Sequence, residues 1–244
     1  MKPQLTSAIG LFGESYRLVR RNLNSYAIIY AVPAAVTVAS VIDVLVNSKD
    51  ADWGYGDAFS YSVFGPSLGA DTSLPTASII LAVVIVVALI VTILMTTILN
   101  LRVSAGQTPS FGSLWQDFIR VWLWAKLIGL FVMMTILIVA GMIALIIPGV
   151  ILIWRLFLAP YILVDKNTGV TEALSESWNM TRGYGWSIYS IILFSILLSL
   201  SGIIPLVGAL ISFALAVAYA AAPALRYQEI KKSPVGQTAY FALE

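Results

Sequence analysis

An all-α integral membrane protein with six transmembrane helices is the fold this sequence predicts, on three observations. The 244 residues are 59% hydrophobic and only 11% charged, with mean hydropathy +0.92, whereas soluble domains carry about 25% charged residues. Six apolar stretches approach the roughly 20 residues that cross a bilayer; they lie at 26–46, 78–99, 123–146, 148–164, 186–204 and 206–226. Lysine and arginine fall almost entirely on one side of these spans.

The first stretch, YAIIYAVPAAVTVASVI (26–42), has the small residues of a cleavage region. It follows an amphipathic leader too long for the basic segment of a signal peptide, so it reads as a transmembrane helix, kinked near Pro33. The segment 47–77, rich in Gly, Ser and aromatics, is expected to be an external loop. The second span follows, with Asn100 expected to mark a helix end. The third and fourth spans meet at IIPGV (146–150), and the fifth and sixth at GIIPLVG (202–208). Both junctions are short and uncharged, so tight helical hairpins are expected. Pro160 and Pro223 lie near the same end of the fourth and sixth spans, where kinks or helix ends should follow. The Ser and Thr residues at 92, 96, 97, 195, 199 and 201 suit helix packing.

The basic residues orient the chain. Lys2, Arg17, Arg20, Arg21, Arg102, Arg120, Lys126, Lys166, Arg182, Arg226, Lys231 and Lys232 share one side, and Lys49 lies on the other. The positive-inside rule then makes both termini cytoplasmic, in a multi-pass protein of the cell membrane. Trp115, Trp122, Trp124, Trp178 and Trp186 flank the cytoplasmic ends, as an interfacial belt does.

An amphipathic segment precedes each hairpin: LTSAIGLFGESYRLVRRN (5–22), SFGSLWQDFIRVW (110–122) and VTEALSESWNMTRG (170–183). The first and third align at an offset of 162, matching Glu14 with Glu176, Ser15 with Ser177, Tyr16 with Trp178 and Arg20 with Arg182. The middle segment matches more weakly, through Gln116 and Phe118. This suggests one membrane domain over 1–244, made of three parallel helix-hairpin units at 5–101, 109–165 and 170–228. A pseudo-threefold axis along the membrane normal would relate them. Arg17, Arg20 and Arg21 are expected to touch anionic headgroups, at roughly 1 kcal/mol each.

Chemistry is restricted by what the sequence lacks. There is no cysteine and no histidine, and the net charge is only +2. Thiolate chemistry, disulfides and the usual general base are therefore absent, and neither a cofactor, a metal nor a nucleic-acid partner is expected. No acids, hydroxyls or amines cluster in a known catalytic pattern. The function expected is a non-enzymatic membrane scaffold or accessory protein, binding lipid or a membrane-protein partner at its cytoplasmic face. The alternative is a small permease or lipid-handling protein with an external anion or headgroup site at Arg155.

Arg155 is the conspicuous charge within PGVILIWRLFLAPYILVD (148–165). An unpaired arginine at mid-bilayer costs at least about 2.5 kcal/mol. Positions 151, 152, 158, 159 and 162 of its own span offer only Ile, Leu, Leu, Ala and Ile. Placed about 10 Å from Pro148 along the helix, it falls in the external half. Asp43, near the external end of the first span, is its expected partner. The fourth span is also short, about 25 Å against a core of about 30 Å. A shallow external dip would let Arg155 reach water.

The segment from Pro148 onward carries a recognisable pattern: Pro148-Gly149, then Arg155, Ala159-Pro160, Asp165, Ser177-Trp178 and Thr181-Arg182-Gly183. It resembles the membrane domain attached to some glycerophosphoryl diester phosphodiesterases, and related stand-alone six-span prokaryotic membrane proteins of uncharacterised function. The close likeness covers about 40 residues. It implies a six-span fold and no settled activity. The hydrolase chemistry of that family belongs to a separate catalytic barrel, for which this chain has no room.

Overall fold

The computed structural model describes residues 5–47, 76–120, 122–204 and 207–233. These are helical almost throughout, with no strand among them. Twelve helices are described: α1 (Ala8–Arg21), α2 (Leu23–Ile29), α3 (Ala31–Asn47), α4 (Thr76–Ser104), α5 (Phe111–Arg120), α6 (Leu123–Ala144), α7 (Ile146–Arg155), α8 (Ala159–Lys166), α9 (Val170–Met180), α10 (Gly185–Ser199), α11 (Gly208–Ala218) and α12 (Ala222–Lys231).

Five helical segments are long and apolar enough to cross a membrane: 83–104, 123–144, 146–166, 185–203 and 208–231. A sixth arises if α2 and α3, bent by 60°, cross as one. The bend falls at Tyr30, three residues before Pro33. Most of the loop expected to be external, from 48 to 75, lies outside the described residues.

The hairpin between α6 and α7 turns on one residue, Leu145, which is extended at φ −164° and ψ 139°. Pro148 and Gly149 therefore lie inside the first turns of α7 instead of in the connection. A proline is tolerated there because the first backbone N–H groups of a helix have no intrahelical partner. Glycine at 149 lets the two backbones touch: a Cβ there would lie 2.8 Å from the backbone nitrogen of Met142.

The fourth span is not the single short helix expected. Helix α7 ends at Arg155, and α8 begins at Ala159 with Pro160 in its first turn. The sixth span breaks alike: α11 ends at Ala218 and α12 begins at Ala222, with Pro223 in its first turn. Asn100 is also placed differently from expectation. It lies well inside α4 and is buried, accepting a hydrogen bond from the Tyr26 hydroxyl at 2.7 Å. A buried side-chain amide needs a partner more than it needs a helix end.

The core gathers where α4, α8 and α12 converge. Helix α4 packs against both α8 and α12, and the rings of Tyr161 in α8 and Tyr227 in α12 stack at 6.1 Å. Leu99, Leu127, Leu158, Ile162, Leu163 and Tyr227 are fully enclosed there. The amphipathic helices α1, α5 and α9 close the same end, α1 on α11 and α12, α5 on α4, and α9 on α8. Here this is termed the collar end. The Ser and Thr hydroxyls expected to pack helices mostly bond back to their own helix, as Thr92 does to Ala88 and Ser195 to Ile191. Ser201 and Ser212, joined at 2.7 Å, do link neighbours across the last hairpin.

Candidate functional site at the collar end

The site starts from what proline does to a span. Without an N–H, Pro160 cannot continue the helical ladder, and the carbonyls before it lose their partners. Ala159 N–H contracts onto Leu156 O at 3.1 Å, and the Arg155 carbonyl is released. Ser177 of α9, fully buried, donates its hydroxyl to that carbonyl at 2.7 Å. Thr181 Oγ1 donates to the Ser177 carbonyl at 2.8 Å and lies 3.4 Å from the Arg155 carbonyl.

The same construction occurs at the other break. Ala222 N–H contracts onto Tyr219 O at 3.1 Å. Ser15 of α1, also fully buried, donates to the freed Ala218 carbonyl at 2.7 Å, and Ala221 N–H donates to Ser15 at 3.1 Å. In both spans the capped carbonyl lies five residues before the proline. A serine of a surface helix thus locks into each broken span. Net, each such bond stabilises by about 1 kcal/mol, and losing it strands a buried acceptor at about 1–3 kcal/mol.

Arg155 is the last residue of α7, and its guanidinium turns to α9. Nη1 donates to the Trp178 carbonyl at 3.1 Å. The charge lies over two indoles, 4.3 Å from the Trp154 ring centre and 4.9 Å from that of Trp178, a geometry worth about 0.5–2 kcal/mol per ring. Its buried Nε has no hydrogen-bond partner among the described residues. The expected position in the external half, on the side of the Pro148 turn, is corrected: Arg155 lies at the other end of α7, with the collar helices. The physical reason is the break at Pro160, which ends α7 there and exposes it to α9. The side chain of Asp43, its expected partner, lies outside the described residues.

Arg182 follows the same helix end. It is exposed, directly after the buried Thr181 and four residues beyond Trp178, whose carbonyl holds Arg155. Gly183, at φ +87°, makes the left-handed turn that lets α10 start two residues later. Arg155, Ser177, Trp178, Thr181, Arg182 and Gly183 of the sequence pattern therefore converge. Pro148 and Gly149 serve the hairpin, Pro160 the break. Asp165 belongs to a second cluster.

In that cluster the Asp165 carboxylate accepts from the Tyr227 hydroxyl and from Lys231 Nζ, each at 2.6 Å. Beside it, Lys166 Nζ lies 3.1 Å from Glu176, whose side chain is fully buried. Burial pushes the Glu176 carboxyl above the usual carboxylate range, and Lys166 pulls it back. Arg102 and Asp117 join α4 to α5 by an ion pair, and with Asp165 and Asn167 they line a pocket of about 350 Å³. At the chain's closure, buried Arg226 donates to Thr6 O at 2.6 Å and pairs with Glu229 at 2.7 Å.

Arg17, Arg20 and Arg21 lie exposed on α1, and Arg17 Nε donates to the Gly13 carbonyl at 3.3 Å. Around the collar, Trp122 is 69% and Trp186 84% exposed. The sequence reading missed the companions of Arg155, Trp154 and Arg182, and treated Arg226 only as an orientation marker. Trp154 was legible as its neighbour in the chain; Arg182 and Arg226 depend on tertiary packing.

No family model, curated protein or solved structure matches this chain.

Proposed function

We propose that the protein is a non-enzymatic membrane scaffold that binds anionic lipid through a cytoplasmic collar of surface helices. The observation carrying this reading is the composition of the locked collar. Exposed guanidiniums of Arg17, Arg20, Arg21 and Arg182 stand with exposed Trp122, Trp178 and Trp186, and α1 and α9 are fixed to the spans by buried serines. Indole and guanidinium together suit the headgroup layer, the one for its apolar body and polar edge, the other for phosphate. On this reading the two serine locks are equivalent positions of parallel repeats, and the likeness to the phosphodiesterase-associated membrane domain is one of scaffold, without its hydrolase chemistry.

The test uses the protein in nanodiscs of equal parts zwitterionic and anionic phospholipid, released for native mass spectrometry. The wild type is expected to retain anionic lipid preferentially, and R17Q/R20Q/R21Q to lose most of that preference. Unchanged retention would overturn the reading. Orientation is checked separately, and the natural absence of cysteine makes it clean. A single cysteine at exposed Glu172 should react with an impermeant maleimide only in inverted vesicles; reaction in intact cells would reverse the assigned topology.

A further inference from the structure

We infer that Arg155 and Arg182 form a stoichiometric site for the phosphate of one anionic phospholipid, with an acyl chain lying along α10. The inference deepens the collar reading and rests on it, turning a general preference for anionic lipid into one defined site.

An internal control separates Arg155 from the architecture around it. The sixth span makes the same break, contracts in the same way and receives the same serine at 2.7 Å, yet Ala218 occupies the place of Arg155. The break therefore needs no arginine. A guanidinium has nevertheless been placed on the Trp178 carbonyl, about one helical turn before Arg182, in an apolar protein where charge is costly. Among the described residues neither Arg155 nor Arg182 has an acidic partner within 4 Å. Two cations at one helix end are stabilised by a shared anion, and phosphate suits guanidinium forks.

The second observation is apolar. A groove of about 670 Å³ runs along the open face of α10 from Trp186 to Leu197, walled at one side by Ser7–Ile9 of α1. It spans twelve residues, about 16 Å at helical rise. One contact chain leads from it to the cationic site: Tyr189 lines the groove and packs on Trp154, and Trp154 carries the Arg155 charge. A cationic head and an apolar trough meeting at one aromatic pair fit a phospholipid better than free phosphate.

The experiment compares wild type, R155Q/R182Q, R182Q alone and a groove-filling variant, Leu193→Trp, in the same nanodisc and mass-spectrometric assay. Wild type is expected to keep one anionic phospholipid through delipidation that strips the rest. R155Q/R182Q should keep it at least about tenfold less, the loss of two charge-assisted contacts. If the double variant does not fold, R182Q, whose side chain is exposed, still reads the site and should weaken retention about threefold to tenfold on the same basis. Leu193→Trp should lose the long-chain lipid with the collar intact. Equal retention by R182Q or R155Q/R182Q and wild type overturns the site. Equal protection by inorganic phosphate and by phospholipid overturns the lipid assignment. The R17Q/R20Q/R21Q variant keeps the two readings apart: it should lose general preference but retain the last lipid, whereas loss of that lipid in this variant and not in R155Q/R182Q would transfer the site to α1.

Discussion

Replacing Lys166 by methionine is expected to lower stability by about 3 kcal/mol at neutral pH, the scale for stranding one member of a buried ion pair. Glu176 would remain, fully buried, on the face of α9 that packs against α8. The penalty should depend on pH, and the sign follows from proton counts. Burial raises the carboxyl of Glu176 in the folded protein. Between its ordinary value and that raised value the folded state binds more protons than the unfolded state, so stability falls as pH rises through the window. Removing Lys166 removes the cation that opposes the shift and extends the window upward. Lys166→Met should therefore resemble wild type most closely at acid pH and diverge as pH rises. Adding Glu176→Gln should restore most of the loss, because a neutral amide needs no counter-charge. Thermal unfolding in mild detergent across a pH series reads all three; a pH-independent loss would show that Lys166 acts through packing alone.

The second large effect is steric. At Gly149 an added Cβ would meet the backbone nitrogen of Met142 at 2.8 Å, and at Gly141 it would meet the Gly149 Cα at 3.1 Å. Backbone cannot rotate out of the way as a side chain can, so α6 and α7 would have to part. Gly149→Ala is expected to lose about 2 kcal/mol, within the range for overpacking, and Gly149→Leu to lose more and aggregate on size-exclusion chromatography. Gly13 is the control, since a Cβ there meets nothing within 4 Å. Gly13→Ala should be neutral or gain up to about 1 kcal/mol from helix propensity. If Gly149→Ala melts with the wild type, the close contact of the hairpin has no energetic weight.

How much of this was legible in the sequence divides along physical lines. Apolar length and charge bias are local properties, so the multi-pass helical class and the amphipathic segments could be read directly. The prolines announced the breaks. The alignment of Ser15 with Ser177 marked two positions that the structure shows in the same role, because a buried hydroxyl beside a proline break is a local requirement repeated in two places. Arg155 was misplaced because its surroundings were judged by helical spacing through an unbroken span. Once α7 ends at 155, the relevant neighbours come from α9, and spacing along the span no longer decides. Arg226 was hidden differently: twelve basic residues were grouped to orient the chain, and nothing local marks Arg226 as one that the fold buries.

The closure of α1 on the last span has a consequence in time. Ser15 bonds Ala218, and Thr6 receives Arg226, across separations of 203 and 220 residues. During synthesis at about 5–20 residues per second, α1 would wait roughly 10–40 seconds for its acceptor carbonyl to exist. Until then it is an amphipathic helix with its buried face uncovered and only the membrane surface to rest on. Helix α1 is thus made long before it is fastened, and a ribosome stalled anywhere before residue 218 leaves the collar open at its seam.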